Sequence, residues 1–409
     1  MTPIMIVGGS VRAAAQSARR AGASPICIDA FGDADLAACG PVVRVTDYPA
    51  GIVAATEQFP ASHWLYTGAL ENQPDIIERL SSRHRLWGNP PASLSIVRTQ
   101  ETLVERLAEE QIQTPRCIWS SDGLRSLKPS QIYLKKPRLS GGGQQISWYQ
   151  ATTASYKNRT PSSDPHDPNW YWQKYVYGFS MGAVFIAANG KATLWGITHP
   201  LFGRKWPTGT VVLPPEPIIE GQRADVDYAG SIGPVKLAAW IQMEIEHIGQ
   251  TIARLGKLLG IFGVDLVIEP GAKRIYVIEV NPRWTASVEI LERATGLNAF
   301  QLHRAACETG TIPAKISPPA GTTWWTQHGK LVVYSDEPWT ISPATSEQWL
   351  ADADDNHWPN IADIPRPGEL IPAGAPICTV FARGQSLKDV IHDLIKFQKK
   401  VMRASIRWE

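Results

Sequence analysis

The stretch Gly263-Val-Asp-Leu-Val-Ile-Glu-Pro-Gly-Ala-Lys-Arg-Ile-Tyr-Val-Ile-Glu-Val-Asn-Pro-Arg283 decides the reading of this chain. Two β-branched runs flank Pro270-Gly-Ala-Lys-Arg274, a segment of turn chemistry, so the spacing predicts an antiparallel hairpin with Glu269 opposite Ile275. That register sets Asp265 opposite Glu279. Because side chains alternate along a strand, Glu279 and Asn281 share a face and Asp265 joins them across the ladder. Two carboxylates and one amide oxygen, with positions left open for water and phosphate, suit a hard divalent cation: magnesium, with manganese as the substitute. The competing reading is a hairpin with solvated acids on its outer face, and the apolar character of both runs weighs against it. Glu289 and Glu292, further on, read as ordinary helix-surface charges.

At 409 residues the chain exceeds what one hydrophobic core usually supports, so two or three domains are expected. A net charge of +2 gives no electrostatic case for nucleic acid or an anionic membrane. Tryptophan is over-represented, at 16 residues. Most are expected in packing, with Trp170, Trp172, Trp195, Trp206, Trp284 and the Trp324-Trp325 pair available to wall a pocket for an aromatic or heterocyclic substrate. The cysteines Cys27, Cys39, Cys117, Cys307 and Cys378 lack Cys-x-x-Cys spacing, so neither a zinc site nor a disulfide framework is indicated. No basic leader opens the chain and no segment reaches the ~18 apolar residues of a membrane helix, so a soluble, cytoplasmic protein is expected.

Along the chain, Ile4-Met-Ile-Val-Gly-Gly is a buried strand entering a glycine turn, Val11–Ala21 an alanine-rich helix, and Pro25-Ile-Cys-Ile-Asp29 a second strand. This is the layout of a dinucleotide fingerprint with Asp29 as its acid. Lined up on Gly8-x-Ser10-x-x-Ala13, however, it has Ser where a second glycine should admit a pyrophosphate, so a scaffold without a dinucleotide is the better reading. Asn89-Pro-Pro91 marks a linker, and 93–111 is patterned as one helix. Gln131–Ile146 is a strand running into the Gly141-Gly142-Gly143 loop. Alternation puts Ile132, Leu134 and Lys136 on one face, where a buried lysine calls for an anion such as phosphate, and glycine N–H groups could cradle more of it. Ala151–Asn169 is a polar insertion, mobile or acting as a lid. A proline- and glycine-rich excursion holds His199, Arg204 and Lys205, with His199 as a loop residue. A helix over 237–259 precedes the hairpin, and the basic run Lys396–Arg407 is a solvated helix face.

In this order the pieces resemble the ATP-grasp superfamily, particularly its predicted ATP-dependent carboligases, which are carboxylate–amine ligases. The most specific part is Glu279-Val-Asn281-Pro-Arg283 with Asp265 upstream; Gly8-Gly-Ser-Val-Arg-Ala-Ala and Ile28-Asp-Ala-Phe-Gly-Asp33 also look like that subgroup. The resemblance implies an α/β fold with a Rossmann-like pre-ATP-grasp domain (1–92), a two-lobed ATP-grasp domain (93–312) and a β-rich C-terminal region with a terminal helix (313–409). It gives Lys136 a phosphate contact and makes Ser140, Gly141, Gly142 and Gly143 a flap over the phosphates of ATP. Gln173-Lys174-Tyr175-Val176 matches the adenine hinge, with Lys174 near the base and the backbone of Val176 reading its edge. Asp265, Glu279 and Asn281 would hold Mg²⁺, and Arg283 would neutralise the γ-phosphate or an acyl-phosphate oxygen. Two positions depart from the family pattern. Gln173 replaces a common acid with no ribose-binding acid after Gly178, and Arg98 stands in for a linker-helix lysine.

The expected chemistry is ATP-dependent joining of a small-molecule carboxylate to an amine through an acyl phosphate, releasing ADP. By family analogy the acid is an amino acid such as glutamate, in one-carbon cofactor assembly. Partners are those substrates, with no nucleic acid and no membrane, and a homodimer is common in the family. Two rival classes are an NAD-dependent oxidoreductase using the N-terminal turn and a regulatory protein that holds nucleotide without turnover.

Overall fold

The computed structural model describes residues 3–60, 62–120, 123–124, 127–128, 130–150, 169–203, 222, 224–271, 273–317, 326–354 and 358–405. Its N-terminal part is a five-stranded parallel sheet in the order β3-β2-β1-β4-β5, with β1 Ile4–Gly8, β2 Pro25–Asp29, β3 Val42–Arg44, β4 His63–Tyr66 and β5 Arg85–Leu86. Every residue of β1 and β2 is buried, as expected of parallel strands covered on both faces. Ile4 and Ile6 face the helix Arg12–Arg20 through Ala14, Ala15 and Ala18, while Met5 and Val7 face the core that holds Trp64 and Ile77.

The acid of the dinucleotide-like layout is engaged by the protein's own backbone. Asp29 is fully buried, and its carboxylate accepts the N–H groups of Val11 (2.7 Å), Phe31 (2.8 Å) and Gly32 (2.5 Å). Gly8 is required for a different contact, since an added Cβ would lie 2.0 Å from Thr67 Oγ1 on the neighbouring strand's end.

A four-stranded antiparallel sheet, β6-β9-β7-β8, follows, with β6 Cys117–Ile118, β7 Ile132–Pro137, β8 Ser147–Gln150 and β9 Trp170–Lys174. The largest sheet has eight strands in the order β14-β13-β10-β11-β12-β15-β19-β17. They are β10 Phe179–Ala188, β11 Lys191–Phe202, β12 Tyr228–Gly233, β13 Gly260–Glu269, β14 Arg274–Asn281, β15 Gln327–Tyr334, β17 Ile361–Ala362 and β19 Pro376–Gly384; β16 Trp339–Thr340 and β18 Leu370–Ile371 pair separately. The strands near the C-terminus thus continue the sheet that carries the hairpin. The helix Leu387–Ser405 lies against them through Val390, Leu394 and Val401 and leaves Lys396, Lys399, Lys400 and Arg403 exposed, as a solvated face requires.

Three expectations are corrected. The helix expected over 93–111 is two helices, Pro91–Val97 and Gln100–Glu109, and the break turns Arg98 inward. His199 belongs to strand β11, opposite Ile232, rather than to a loop. Glu289 and Glu292 are each only 2% exposed. Glu289 takes Arg12 Nη1 at 2.5 Å, Arg12 Nη2 at 3.1 Å, and Lys330 and Arg293 each at 3.4 Å; Glu292 takes Ser17 Oγ at 2.9 Å and Arg20 at 3.1 Å. On the helix Ser287–Thr295 both acids are buried, with cationic partners supplied by Arg12, Arg20 and Lys330 from far away in sequence. Among the described residues no helix is long and apolar enough to cross a membrane. The segment 151–168, together with Arg204, Lys205, Trp206, Trp324 and Trp325, lies outside the described residues.

Candidate functional site

The hairpin forms with Asp265 opposite Glu279, but the turn is one residue out of the expected register, pairing Glu269 with Arg274 and Leu266 with Val277. A β-bulge at Ile278 reconciles the two. Its effect is chemical as well as geometric. Ile275 and Val277 point into the apolar core with Val264, Leu266 and Ile268, so strict alternation would bury Glu279 and Asn281 there too. The extra residue shifts the parity: Val280 enters the core, and Ile278, Glu279 and Asn281 line a cavity of 320 Å³ between the four- and eight-stranded sheets. The carbonyl of Ile278 accepts Gln100 Nε2 at 3.0 Å and Gln173 Nε2 at 3.4 Å.

Within the cavity, Asn281 Nδ2 donates to Asp265 Oδ2 at 2.9 Å. The two facing carboxylates are electrostatically unequal. Burial works to raise the pKa of Glu279, but the guanidinium of Arg98 and the ammonium of Lys136 outweigh it and hold the group below its usual range. Asp265 is pushed up to about 6, by burial first and then by the charge of Glu279. It therefore has nearby negative charge and no cation bonded to it among the described residues. A divalent ion would relieve that situation, and an all-oxygen donor set matches magnesium. No group of three or more His, Cys, Asp or Glu side chains suited to a metal occurs among the described residues, so this site would take two carboxylates and an amide from the protein.

The opposite wall comes from the four-stranded sheet. On β7, Tyr133 packs into a core on one face while Leu134 and Lys136 line the cavity on the other. Lys136 is 6% exposed and its Nζ donates to Gln173 Oε1 at 3.1 Å, a neutral partner that leaves its charge uncompensated by any bonded carboxylate. Ser140, Gly141, Gly142 and Gly143 arch over the same space. Gly142 and Gly143 have φ of +66° and +78°, and a Cβ at Gly143 would lie 2.1 Å from Val226 O, so this loop conformation needs glycine at both positions. Gln173, Lys174, Tyr175 and Val176 form the rim, with Lys174 exposed to solvent.

Arg98 connects these walls, and Arg283 ties the hairpin to the N-terminal part. Arg98 hydrogen-bonds Glu279 through Nη1 and reaches Val280 O at 3.1 Å, Asn72 Oδ1 at 2.8 Å and Ser140 O at 3.0 Å. Arg283 lies 2.7 Å from Glu71 through Nε and donates to Trp284 O at 3.2 Å and Asn281 Oδ1 at 3.4 Å. Sequence reading missed Glu71 and Asn72, which sit on a short 3₁₀ turn of the N-terminal part with no periodic or motif signal. Among the described residues no tryptophan lines this cavity. Trp195 and Trp284 are core residues, and Trp170 and Trp172 lie beside Lys135 on the other face of β7. His199 does not line it either, and burial lowers its pKa.

Residues 100–287 match the family model described as the ATP-grasp domain. This segment is an ATP-grasp domain. It carries Lys136, the glycine loop, the rim and the hairpin, while Glu71, Asn72 and Arg98 reach the ATP-grasp cleft from outside the matched span. One curated relative, the carbamoyl phosphate synthase large chain, C-terminal section, of Methanopyrus kandleri, is 26% identical over 151 residues, which is 35% of this chain and 28% of that protein. The chain thus matches little more than a quarter of that relative's length. Among solved structures, a biotin carboxylase–β-γ-ATP complex from Campylobacter jejuni superposes with a TM-score of 0.69 at 13% identity, covering 96% of this chain and 89% of that one. The L-amino acid ligase of Bacillus licheniformis gives 0.65 at 13% identity, covering 98% and 97%. The mixed α/β ATP-grasp fold therefore extends over nearly the whole chain, beyond the matched domain.

Proposed function

We propose that this protein is an ATP-dependent carboxylate–amine ligase that joins an amino acid such as glutamate to an amine or amino-acid acceptor and releases ADP. The supporting observation is the meeting, in one cavity, of an under-compensated carboxylate pair on the hairpin with a buried lysine and a positive-φ glycine loop on the facing wall. Asp265, Glu279 and Asn281 would hold magnesium, which when bound neutralises phosphate oxygens. Lys136 and Arg283 present fixed positive charge to the transferring phosphoryl group, in a site where no solvent reorganisation is needed at the moment of transfer. The loop N–H groups from Ser140 to Gly143 hold the phosphates, and the rim at Gln173, Lys174 and Val176 faces the adenine. The substrate carboxylate would be activated as an acyl phosphate beside Arg283 and then attacked by the amine. A role in one-carbon cofactor assembly follows by analogy with related ligases. The Asp29 carboxylate, the group a dinucleotide's ribose would need, is taken by three backbone N–H groups, which speaks against the dinucleotide alternative.

The test is ADP release with Mg-ATP against pools of amino acids and aromatic amines, comparing the native protein with Glu279→Gln. Release that requires one acid–amine pair and disappears in the variant supports the ligase. Nucleotide hydrolysis indifferent to every pool, or full activity in Glu279→Gln, overturns the reading.

A further inference from the structure

Glu71 is buried with both carboxylate oxygens shielded from solvent, and among the described residues neither oxygen makes an aligned hydrogen bond. Its near neighbour is Arg283 Nε at 2.7 Å, an ion pair by distance that lacks hydrogen-bond alignment. A carboxylate in this position is costly unless a cation compensates it. The turn that delivers it is also constrained. Ala69, immediately before the 3₁₀ turn Leu70–Asn72, has φ of +70°, a conformation that non-glycine residues adopt only when their surroundings enforce it. Leu70 is fully buried, Asn72 bonds Arg98 and Ser140, and Gly68 lies against the Arg283 guanidinium, 3.9 Å from where its Cβ would be.

The consequence lies in the donor count of Arg283. A guanidinium has five N–H donors in a rigid fork. Nε sits 2.7 Å from Glu71 as an ion-pair contact, one N–H on Nη1 goes to Trp284 O and one on Nη2 to Asn281 Oδ1. One N–H on each terminal nitrogen remains without an acceptor among the described residues, and Arg283 lines the cleft. Two such donors form the edge that receives a planar carboxylate or two phosphoryl oxygens side by side.

We infer that Glu71 is a positioning residue for the ligase reaction: it fixes the rotation of Arg283 about Nε, so that the free edge of the fork meets the transferring phosphoryl group and the acid substrate. The inference rests on the ligase reading above. Glu71 does not line the cleft, so removing its charge should leave nucleotide binding almost intact while spoiling orientation. A 1 Å misplacement can cost on the order of a hundredfold in rate.

The experiment compares Glu71→Gln, Glu71→Asp and Arg283→Lys with the native protein. It measures kcat and KM for ATP, MgADP affinity by calorimetry, and the ¹⁵N–¹H signal of Arg283 Nε, assigned by its absence in Arg283→Lys. In Glu71→Gln, kcat should fall tenfold or more (order of magnitude) while KM for ATP and MgADP affinity stay within about twofold, and the Nε–H should shift and exchange faster. Glu71→Asp, which keeps the charge at shorter reach, should be intermediate and serves if the glutamine variant does not fold. Unchanged kcat, or losses of kcat and nucleotide affinity in step, overturn the inference. If the native protein turns over no substrate pair, the ligase reading has failed, and an Nε–H signal unchanged in Glu71→Gln then overturns the positioning role independently.

Discussion

Arg98 bonds Glu279 from the break between two helices, so a cation of the protein's own already occupies one carboxylate of the proposed metal pair. The Arg98 side chain is 7% exposed and that of Glu279 27%. Arg98→Ala should therefore lower stability in magnesium-free buffer by roughly 2–3 kcal/mol, somewhat less than a fully buried pair would lose. Added magnesium should return part of that loss by binding the same carboxylate. Urea unfolding with and without the ion checks this, and an identical loss in both would count against Glu279 as a ligand.

Glycines of one loop should respond differently to substitution. Gly143→Ala places a Cβ 2.1 Å from Val226 O at positive φ, whereas a Cβ at Gly141 meets nothing within 4 Å. Gly143→Ala should cost roughly 1–2 kcal/mol and weaken ATP binding as the loop shifts, and Gly141→Ala should melt like the native protein. Thermal melts and nucleotide titration distinguish the two.

His303 ties acid sensitivity to the core beneath the hairpin. It is 3% exposed, its Nδ1 accepts Ile261 N–H at 2.9 Å and its Nε2 lies 3.1 Å from Trp87 O, an arrangement that requires the neutral ring. Burial, only partly opposed by the Trp87 carbonyl, lowers its pKa to about 4. Since the unfolded ring titrates near 6.5, its stabilising effect is complete above that pH and is lost as pH falls from 6.5 toward 4, by about 3 kcal/mol in total. His328, also lowered to about 4, adds to the slope in the same window. Denaturant unfolding at pH 7, 5.5 and 4.5 should show the decline, and His303→Gln should flatten it.

Glu289→Ala should be the most damaging single change outside the cleft. It strips three cations, Arg12, Lys330 and Arg293, of a shared buried carboxylate. A loss of roughly 3–5 kcal/mol is expected, read from chemical denaturation, while Glu308→Ala on the exposed helix surface should change little.

The hairpin, its paired acids, the lysine strand and the N-terminal β-α-β unit were legible because each is local: β-branched runs, turn residues and alternation over fewer than about ten residues. The bulge left a trace in the sequence, since the apolar positions Ile275, Val277 and Val280 break a period of two at the point where the acids begin. The burial of Glu289 and Glu292 left none, because their partners are supplied by the first helix and by β15. Glu71 and Asn72 were invisible for the same reason. Their function depends on the meeting of two sheets, which neither propensity nor spacing within a short window records.

The Asp29 carboxylate takes the N–H of Val11 at the end of the first glycine turn and the N–H groups of Phe31 and Gly32 just past its own strand, so one of the backbone donors that such a turn offers to an incoming anion is already satisfied. The N-terminal unit thereby acts as a foundation for the cleft. It carries the turn from which Glu71 and Asn72 reach Arg283 and Arg98, so the placement of the cleft's two arginines is anchored outside the lobes that form its walls.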